Sequence, residues 1–380
     1  MNILHTIPGR NWGGMEHRTV EQVRWLKANG HAVWLATPPD GQTSARAKAA
    51  GLPVLPFDFD RPWQPATVRA FRRLVIERRI ELIDTHVTRD AKVAAACLDL
   101  CAVVRSRHVN QPLKPSPLRR MQWRLGADHV ITVAECTRTD LIAGGLVDPR
   151  RSTTVGGWAD DAFFSAAAPG ERAALRAQLG LSGEAFVWLC VGMIRPDKGQ
   201  DHLLTALPLL AARGLTPTLV IVGAPTAESA DFEAGLRRRA AENQLPVVFT
   251  GYREDVAALM RMADAVVIPS LTEAQPRVAV QAFAVGRPVV ASAVGGVPEI
   301  VTPGETGWLV PPAAPAALAE AMEAVMAKPA AAGSVATCAR LLAEATMRFD
   351  HRMSLTLETY RTALERAHNR AFPRWRGNAR

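Results

Sequence analysis

Cysteine is scarce in this chain of 380 residues: there are five, at positions 97, 101, 136, 190 and 338, and none forms a Cys-x-x-Cys pair. Cys97 and Cys101 lie one helical turn apart in an apolar segment and read as core residues rather than a metal or redox pair; a reduced, cytosolic compartment follows. No apolar run approaches the roughly 20 residues needed to span a bilayer. The N-terminus, Met1 to Pro8, has no basic stretch before its apolar residues, so it reads as a first strand and not a signal peptide. Neither Gly-x-Gly-x-x-Gly nor Gly-x-x-x-x-Gly-Lys-Ser/Thr occurs, which counts against a dinucleotide fingerprint and a P-loop. Nor does any nucleic-acid recognition motif accompany the basic composition.

What is present is globular: 48% apolar and 21% charged residues, in a length that suits two domains. The net charge of +9 is unevenly placed. Residues 1–161 carry 23 Lys and Arg against 16 Asp and Glu, residues 162–346 carry 14 against 17, and 347–380 carry 8 against 3. A basic first half and tail suggest an anionic partner (a lipid surface, a phosphorylated acceptor or nucleic acid) or nothing specific.

Strands alternate with helices throughout. Expected strands lie at 2–7, 31–36, 52–56, 81–86, 102–108, 128–133 and 152–155, then, after a Gly- and Pro-rich stretch at 156–170, at 185–191, 218–222, 247–249, 265–268, 289–290 and 307–310. Two parallel, doubly wound α/β sheets follow. A last helix, Phe349 to about Asn369, is Arg-rich like the first half and is expected to return to it.

Ligands of such sheets bind at the carboxyl ends of the strands. Glu273 sits there, after the strand 265–268 and before a helix opening near Pro276; Gln281 falls one turn past Arg277 on the same helix face. In Val191-Gly192-Met-Ile-Arg195-Pro-Asp-Lys198-Gly199, two cations and glycines precede a helix, an arrangement that gathers backbone N–H groups, dipole and side-chain charge around an anion. In the first half, Gly13-Gly14 between strand and helix either lets a ligand approach or makes a turn. His86 ends the strand 81–86, where ligand contact and a structural hydrogen bond are equally compatible with its place. Lys114 to Leu125 interleaves arginines with Leu, Met and Trp, as does a helix resting on an anionic membrane or a surface helix covering a neighbour.

These loops, with Glu16, Gly30-His31-x-Val33, Ser270-x-x-Glu273, Gly286-x-Pro288-Val-Val and Gly295-Gly-Val-Pro-Glu299 followed by Gly307-Trp-Leu-Val, resemble a family-4 glycosyltransferase of the GT-B fold, of the bacterial lipopolysaccharide or capsule type. The resemblance implies two Rossmann-like domains facing a cleft: residues 1–161 with 347–380 for the acceptor, and 162–346 for the nucleotide sugar. It implies retaining transfer from a nucleotide donor, usually a UDP-sugar, to a lipid-linked glycan, with no metal and no cofactor, by an enzyme on the inner face of the cytoplasmic membrane. Arg195 and Lys198 would neutralise the leaving diphosphate and Glu273 would hold the donor sugar. Gln281 would hold the ribose. Gly13, Gly14, Gly192 and the backbone of Ala274, Gln275, Pro276 and Arg277 would lie along sugar and diphosphate, and His86 would position the acceptor or a phosphate oxygen. The chain departs from the family pattern at Met193, where Arg is common, at Gln281, where the second Glu of Glu-x7-Glu is expected, and at Glu273-Ala-Gln-Pro in place of Glu-Gly-Phe-Gly. A sugar-nucleotide epimerase of the same fold and a non-catalytic sugar-nucleotide or glycolipid binder are the competing readings.

Overall fold

The computed structural model describes residues 1–370; the end of the tail assigned to the first domain, 371–380, lies outside them. The chain divides into two compact units, Met1–Gly156 with Met353 onward, and Gly157–Arg352.

In the first unit seven strands, β1 (Asn2–Thr6), β2 (Ala32–Thr37), β3 (Val54–Pro56), β4 (Leu82–Thr85), β5 (Ala102–Arg107), β6 (His129–Thr132) and β7 (Ser152–Thr154), form one sheet in the order β3-β2-β1-β4-β5-β6-β7. Every pairing is parallel. The central strands are buried on both faces: Leu4, Ile83 and Val103 pack with Phe59 and Phe71 in the core, while His5, Thr6, Asp84 and Thr85 are buried polar residues toward the carboxyl ends of β1 and β4. The order reverses between β1 and β4, so the carboxyl ends of these two strands bound the crevice where such sheets take ligands.

The second unit repeats the plan with β8 (Val187–Val191), β9 (Thr218–Val222), β10 (Val247–Gly251), β11 (Ala265–Ile268), β12 (Val289–Ser292) and β13 (Trp308–Val310), ordered β10-β9-β8-β11-β12-β13. Its reversal lies between β8 and β11, the strands that carry the Arg195–Lys198 loop and the Glu273 loop. Among the described residues the two sheets hold the strands expected from the sequence.

The boundary expected after residue 161 instead falls at Gly156/Gly157, and the one expected before 347 falls at Arg352/Met353. Packing explains both shifts. Trp158 is fully buried and stacks on Phe349 with ring centroids 5.1 Å apart, while the Ala159 N–H donates to the Met347 carbonyl at 3.0 Å. A stretch that composition marks as a linker is therefore anchored on the second unit by one large aromatic side chain. The helix Phe349–His368 carries the chain back into the first unit, where the buried Tyr360 hydroxyl donates to Asp84 Oδ2 at 2.5 Å.

Cys97 and Cys101 are both buried, and burial pushes the Cys97 thiol up to about 12, so neither is a ready thiolate.

Candidate active site

In the second unit the loops after β8 and β11 are stitched together. The Leu271 N–H donates to the Asp197 carbonyl at 2.9 Å. Gly199 has φ +68°, and a Cβ there would stand 2.0 Å from the Pro269 carbonyl oxygen, so only glycine allows the two backbones this close. The contact sets Lys198 beside Glu273. Lys198 Nζ lies 2.6 Å from Glu273 Oε1, and the Ser270 hydroxyl donates to the same oxygen at 2.8 Å. Both side chains are largely but not wholly shielded, at 22% and 13% exposure, which strengthens the pair relative to a surface bridge.

Beyond this pair, Gly199 caps the helix Gln200–Ala211, whose first N–H groups add their dipole to the lysine. Arg195 pairs with Asp197 through Nε at 2.9 Å and is 40% exposed; its Nη groups have no protein partner among the described residues. The Met193 carbonyl accepts from Gln200 Nε2 at 3.0 Å, so the residue in place of the family's arginine helps fix the loop through its backbone.

The segment 274–277 divides between two tasks. The Ala274 carbonyl accepts from the Gly296 N–H at 2.7 Å, tying this loop to the Gly295-Gly296 turn. Pro276 is the N-cap of the helix Arg277–Val285. The side chains of Gln275 and Arg277 are engaged within the second unit: Gln275 accepts from the Gly157 N–H, and the Arg277 guanidinium lies 5.8 Å from the Trp158 ring centroid. Gln281 is half-buried on the same helix, and its side chain makes no hydrogen bond among the described residues. Gly307, in the shared Gly-Trp-Leu-Val sequence, is structural: a Cβ there would meet the Val289 carbonyl at 2.8 Å.

In the first unit Gly13 caps the helix Gly14–Ala28, its N–H donating to Glu16 Oε2 at 3.0 Å. Among the described residues, nothing outside its own helix backbone lies within 4 Å of a Cβ placed on Gly14, so packing alone does not demand glycine there. His86 is 3% exposed and both its ring nitrogens are occupied: Nε2 lies 3.1 Å from His5 Nδ1, and Nδ1 lies 2.9 Å from His108 Nε2. It therefore has no ring nitrogen left for a ligand. Around it, Asp90 accepts from the Thr6 hydroxyl at 2.7 Å and the His86 N–H at 2.8 Å; Asp84 accepts from Ser106 and Tyr360. Burial raises Asp84 to about 7 and Asp90 to about 6, and lowers His5 and His108 to about 3, so the imidazoles are neutral at physiological pH.

His5, Asp84 and His86 bring metal-ligand atoms within 4.8 Å of one another. The ring geometry argues for a hydrogen bond instead. The His5 and His86 rings are 7° from coplanar with centroids 5.4 Å apart, which is the 3.1 Å contact plus a ring radius at each end. Lone pairs that meet head-on at this separation leave room for a proton, whereas a zinc ion about 2.0–2.1 Å from each nitrogen would not fit between them.

Sequence reasoning missed Ser270 as a partner of Glu273, and His5, His108, Asp84 and Tyr360 around His86. The only signal for His5 was its place one residue before the end of β1; the strand order that pairs it with Asp84 is a tertiary fact.

Comparison with known proteins bears on the family and the fold. Residues 12–162 match the family model described as Glycosyltransferase Family 4, and residues 185–328 the one described as Glycosyl transferases group 1. A D-inositol 3-phosphate glycosyltransferase of Kribbella flavida is 31% identical over 95% of this chain and 95% of its own length; one from Nocardioides is 30% identical over 95% and 88%. With the relative from Mycolicibacterium paratuberculosis the identity is 33% over 63% of this chain, which spans about half (53%) of that protein. Among solved structures, a Rickettsia africae glycosyltransferase superposes with TM-score 0.87 at 16% identity, covering 96% and 98% of the two chains. Anabaena HepE in complex with UDP-glucose gives 0.80 at 23%, covering 95% and 99%. With this architecture and these relatives, the chain belongs to the family-4 glycosyltransferases, enzymes of the GT-B fold.

Proposed function

We propose that the protein is a retaining, metal-independent glycosyltransferase that takes a sugar from a UDP-sugar and passes it to an anionic acceptor, a lipid-linked or lipopolysaccharide-type glycan. The observation that carries this reading is the Lys198–Glu273 pair at the strand-order reversal of the second sheet, beside a helix N-terminus. As the bond from sugar to diphosphate breaks, charge grows on the leaving phosphate, and Lys198, Arg195 and the helix dipole provide fixed positive potential for it. That supply takes the place a divalent metal holds in other sugar transfers. Glu273, already held through Oε1, keeps Oε2 for donor-sugar hydroxyls. The HepE structure with UDP-glucose supports the nucleotide. The test is turnover of a UDP-sugar panel in EDTA, with product anomers assigned by NMR: UDP release at an undiminished rate with retained configuration is expected, and a requirement for divalent metal would overturn the reading.

The acceptor class rests on the helix Pro117–Leu125. Its Leu118, Met121 and Leu125, spaced i, i+3, i+7, are 60%, 52% and 67% exposed, while Trp123 on the other side is buried under Arg105, whose Cζ lies 3.6 Å from the ring centroid. Apolar residues along one face with Arg119, Arg120 and Arg124 beside them suit an anionic bilayer surface, so the reading places the enzyme peripherally on the cytoplasmic leaflet. Among the described residues no helix is long and apolar enough to cross a membrane. Replacing Arg119, Arg120 and Arg124 together by Gln should weaken binding to phosphatidylserine vesicles by about two orders of magnitude, at roughly 1 kcal/mol per basic residue; equal sedimentation of mutant and wild type would remove the membrane from the proposal. A second reading, a soluble inositol phosphate acceptor, is favoured by the names of the sequence relatives, and the same assay with inositol 3-phosphate separates the two.

A further inference from the structure

The unit 1 sheet edge contains a feature that the transfer chemistry above does not use. Three imidazoles lie end to end: His5 Nδ1 to His86 Nε2 at 3.1 Å, and His86 Nδ1 to His108 Nε2 at 2.9 Å, with centroids 5.4 and 5.1 Å apart. Their strands β1, β4 and β5 are neighbours, so the row runs across the carboxyl edge of the sheet from a fully buried end at His5 to a partly exposed end at His108. We propose that this row fixes the tautomer of His108 from its buried end, and that His108 thereby presents an Nδ1–H donor to an oxygen of the acceptor, a sugar hydroxyl or a phosphate.

Each neutral imidazole has one N–H, so the row has two arrangements. In one, His5 donates from Nδ1 to His86, His86 donates from Nδ1 to His108, and the free N–H is on Nδ1 of His108. In the other all bonds reverse and the free N–H is on Nε2 of His5. The buried end decides between them. His5 Nε2 has no hydrogen-bond partner, and an orphaned buried N–H is rarer and costlier than a bare acceptor. His5 Nδ1 also lies 3.9 Å from Asp84 Oδ2, so a proton there faces a carboxylate where a lone pair would be repelled. Both effects favour the first arrangement.

The neighbours act in the same sense. Asp84 is anchored by Tyr360 and Ser106 and cannot swing away; Asp90 is taken up by Thr6 and the backbone of His86, Val87 and Ala91. The Arg18 guanidinium, bonded to the carbonyls of Val155 and Gly156, opposes a second proton on the row. His108 Nδ1 has no protein partner among the described residues. His5 and His86 are thus positioning residues, and His108 is the one that meets the ligand.

The ligand role rests on the transferase reading; the tautomer assignment does not. Ring-nitrogen NMR of the full-length, 15N-histidine-labelled protein at pH 7.5 should place the proton on Nδ1 of both His86 and His108. By the same rule His5→Leu, which in the reversed arrangement would orphan a buried N–H on His86, should keep the proton on Nδ1 of His108. His5→Asp, whose carboxylate falls near the lost Nδ1 and only accepts, should move it to Nε2 and raise the acceptor KM about tenfold with the donor KM unchanged. An Nε2–H at His108 in the wild type overturns the proposal, as does an unchanged His108 signal in His5→Asp. Should His5→Asp not fold, the wild-type spectrum and His5→Leu remain decisive. The expected tautomers in a protein that transfers no sugar would uphold the row and overturn the transferase reading alone.

Discussion

Lys198→Ala is expected to lower kcat by about two to three orders of magnitude, the loss that follows removal of one fixed donor at a developing negative charge. The lysine is the most shielded cation of the β8 loop, at 22% exposure against 40% for Arg195, and charge is worth more where water is sparse. The donor KM should change less than kcat, because the ground-state diphosphate already carries its charge and keeps the helix dipole and Arg195; the increment lost is the one that appears as the bond breaks. Lys198→Ala also leaves the Glu273 carboxylate with Ser270 alone, adding an uncompensated negative charge beside the diphosphate. Two contributions are therefore mixed in the single variant, and Lys198→Ala/Glu273→Gln separates them. The double variant should bind the UDP-sugar more tightly than Lys198→Ala while remaining as slow, a coupling visible in a double-mutant cycle. Wild-type kcat in Lys198→Ala would leave the proposed leaving-group site without its main charge. The thermal midpoint should barely move, since no buried apolar contact is lost.

Gly199→Ala should do the reverse, striking stability as well as activity. At φ +68° a Cβ costs on the order of 1 kcal/mol in backbone strain alone. The 2.0 Å approach to the Pro269 carbonyl adds a clash that only separation of the two loops can relieve. Together these should destabilise the second unit by roughly 3–5 kcal/mol, near the upper range of single substitutions, and lower its unfolding midpoint by about 10 °C. The control is Gly180→Ala: its φ of +66° is nearly the same, but a Cβ there meets nothing within 4 Å. It should incur the strain alone and leave transfer intact. If both variants lose equal stability, the close approach of the loops is not what holds Lys198 against Glu273.

That comparison also shows what could be read from residue order. The Gly199 N-cap, the helix after Pro276 and the carboxyl-end placement of Glu273 follow from local chemistry: a cap, a proline and an apolar run each act within one turn of chain. The same holds for the strand series, because parallel strands buried on both faces are predominantly apolar. Composition marks the linker at 156–170, and the unit boundary falls inside it at Gly156/Gly157, but composition does not report how the stretch packs. Gly156, Gly157 and the alanines that follow Phe164 announce a loop by composition, yet Trp158 inserts beside Phe349, far away in the chain, and no local rule reports that contact.

The Lys198–Glu273 pair and the histidine row differ in the same way. The residue order of this protein determined that Lys198 and Glu273 would stand at the ends of parallel strands, and strand ends are where such sheets meet ligands. Only the tertiary structure decided that β8 lies next to β11 and that β4 lies between β1 and β5, so that Lys198 reaches Glu273 and His5 reaches His108 through His86. Strand order is set by the summed packing of helices on both faces of a sheet, a property of the whole core that no short stretch of residues carries.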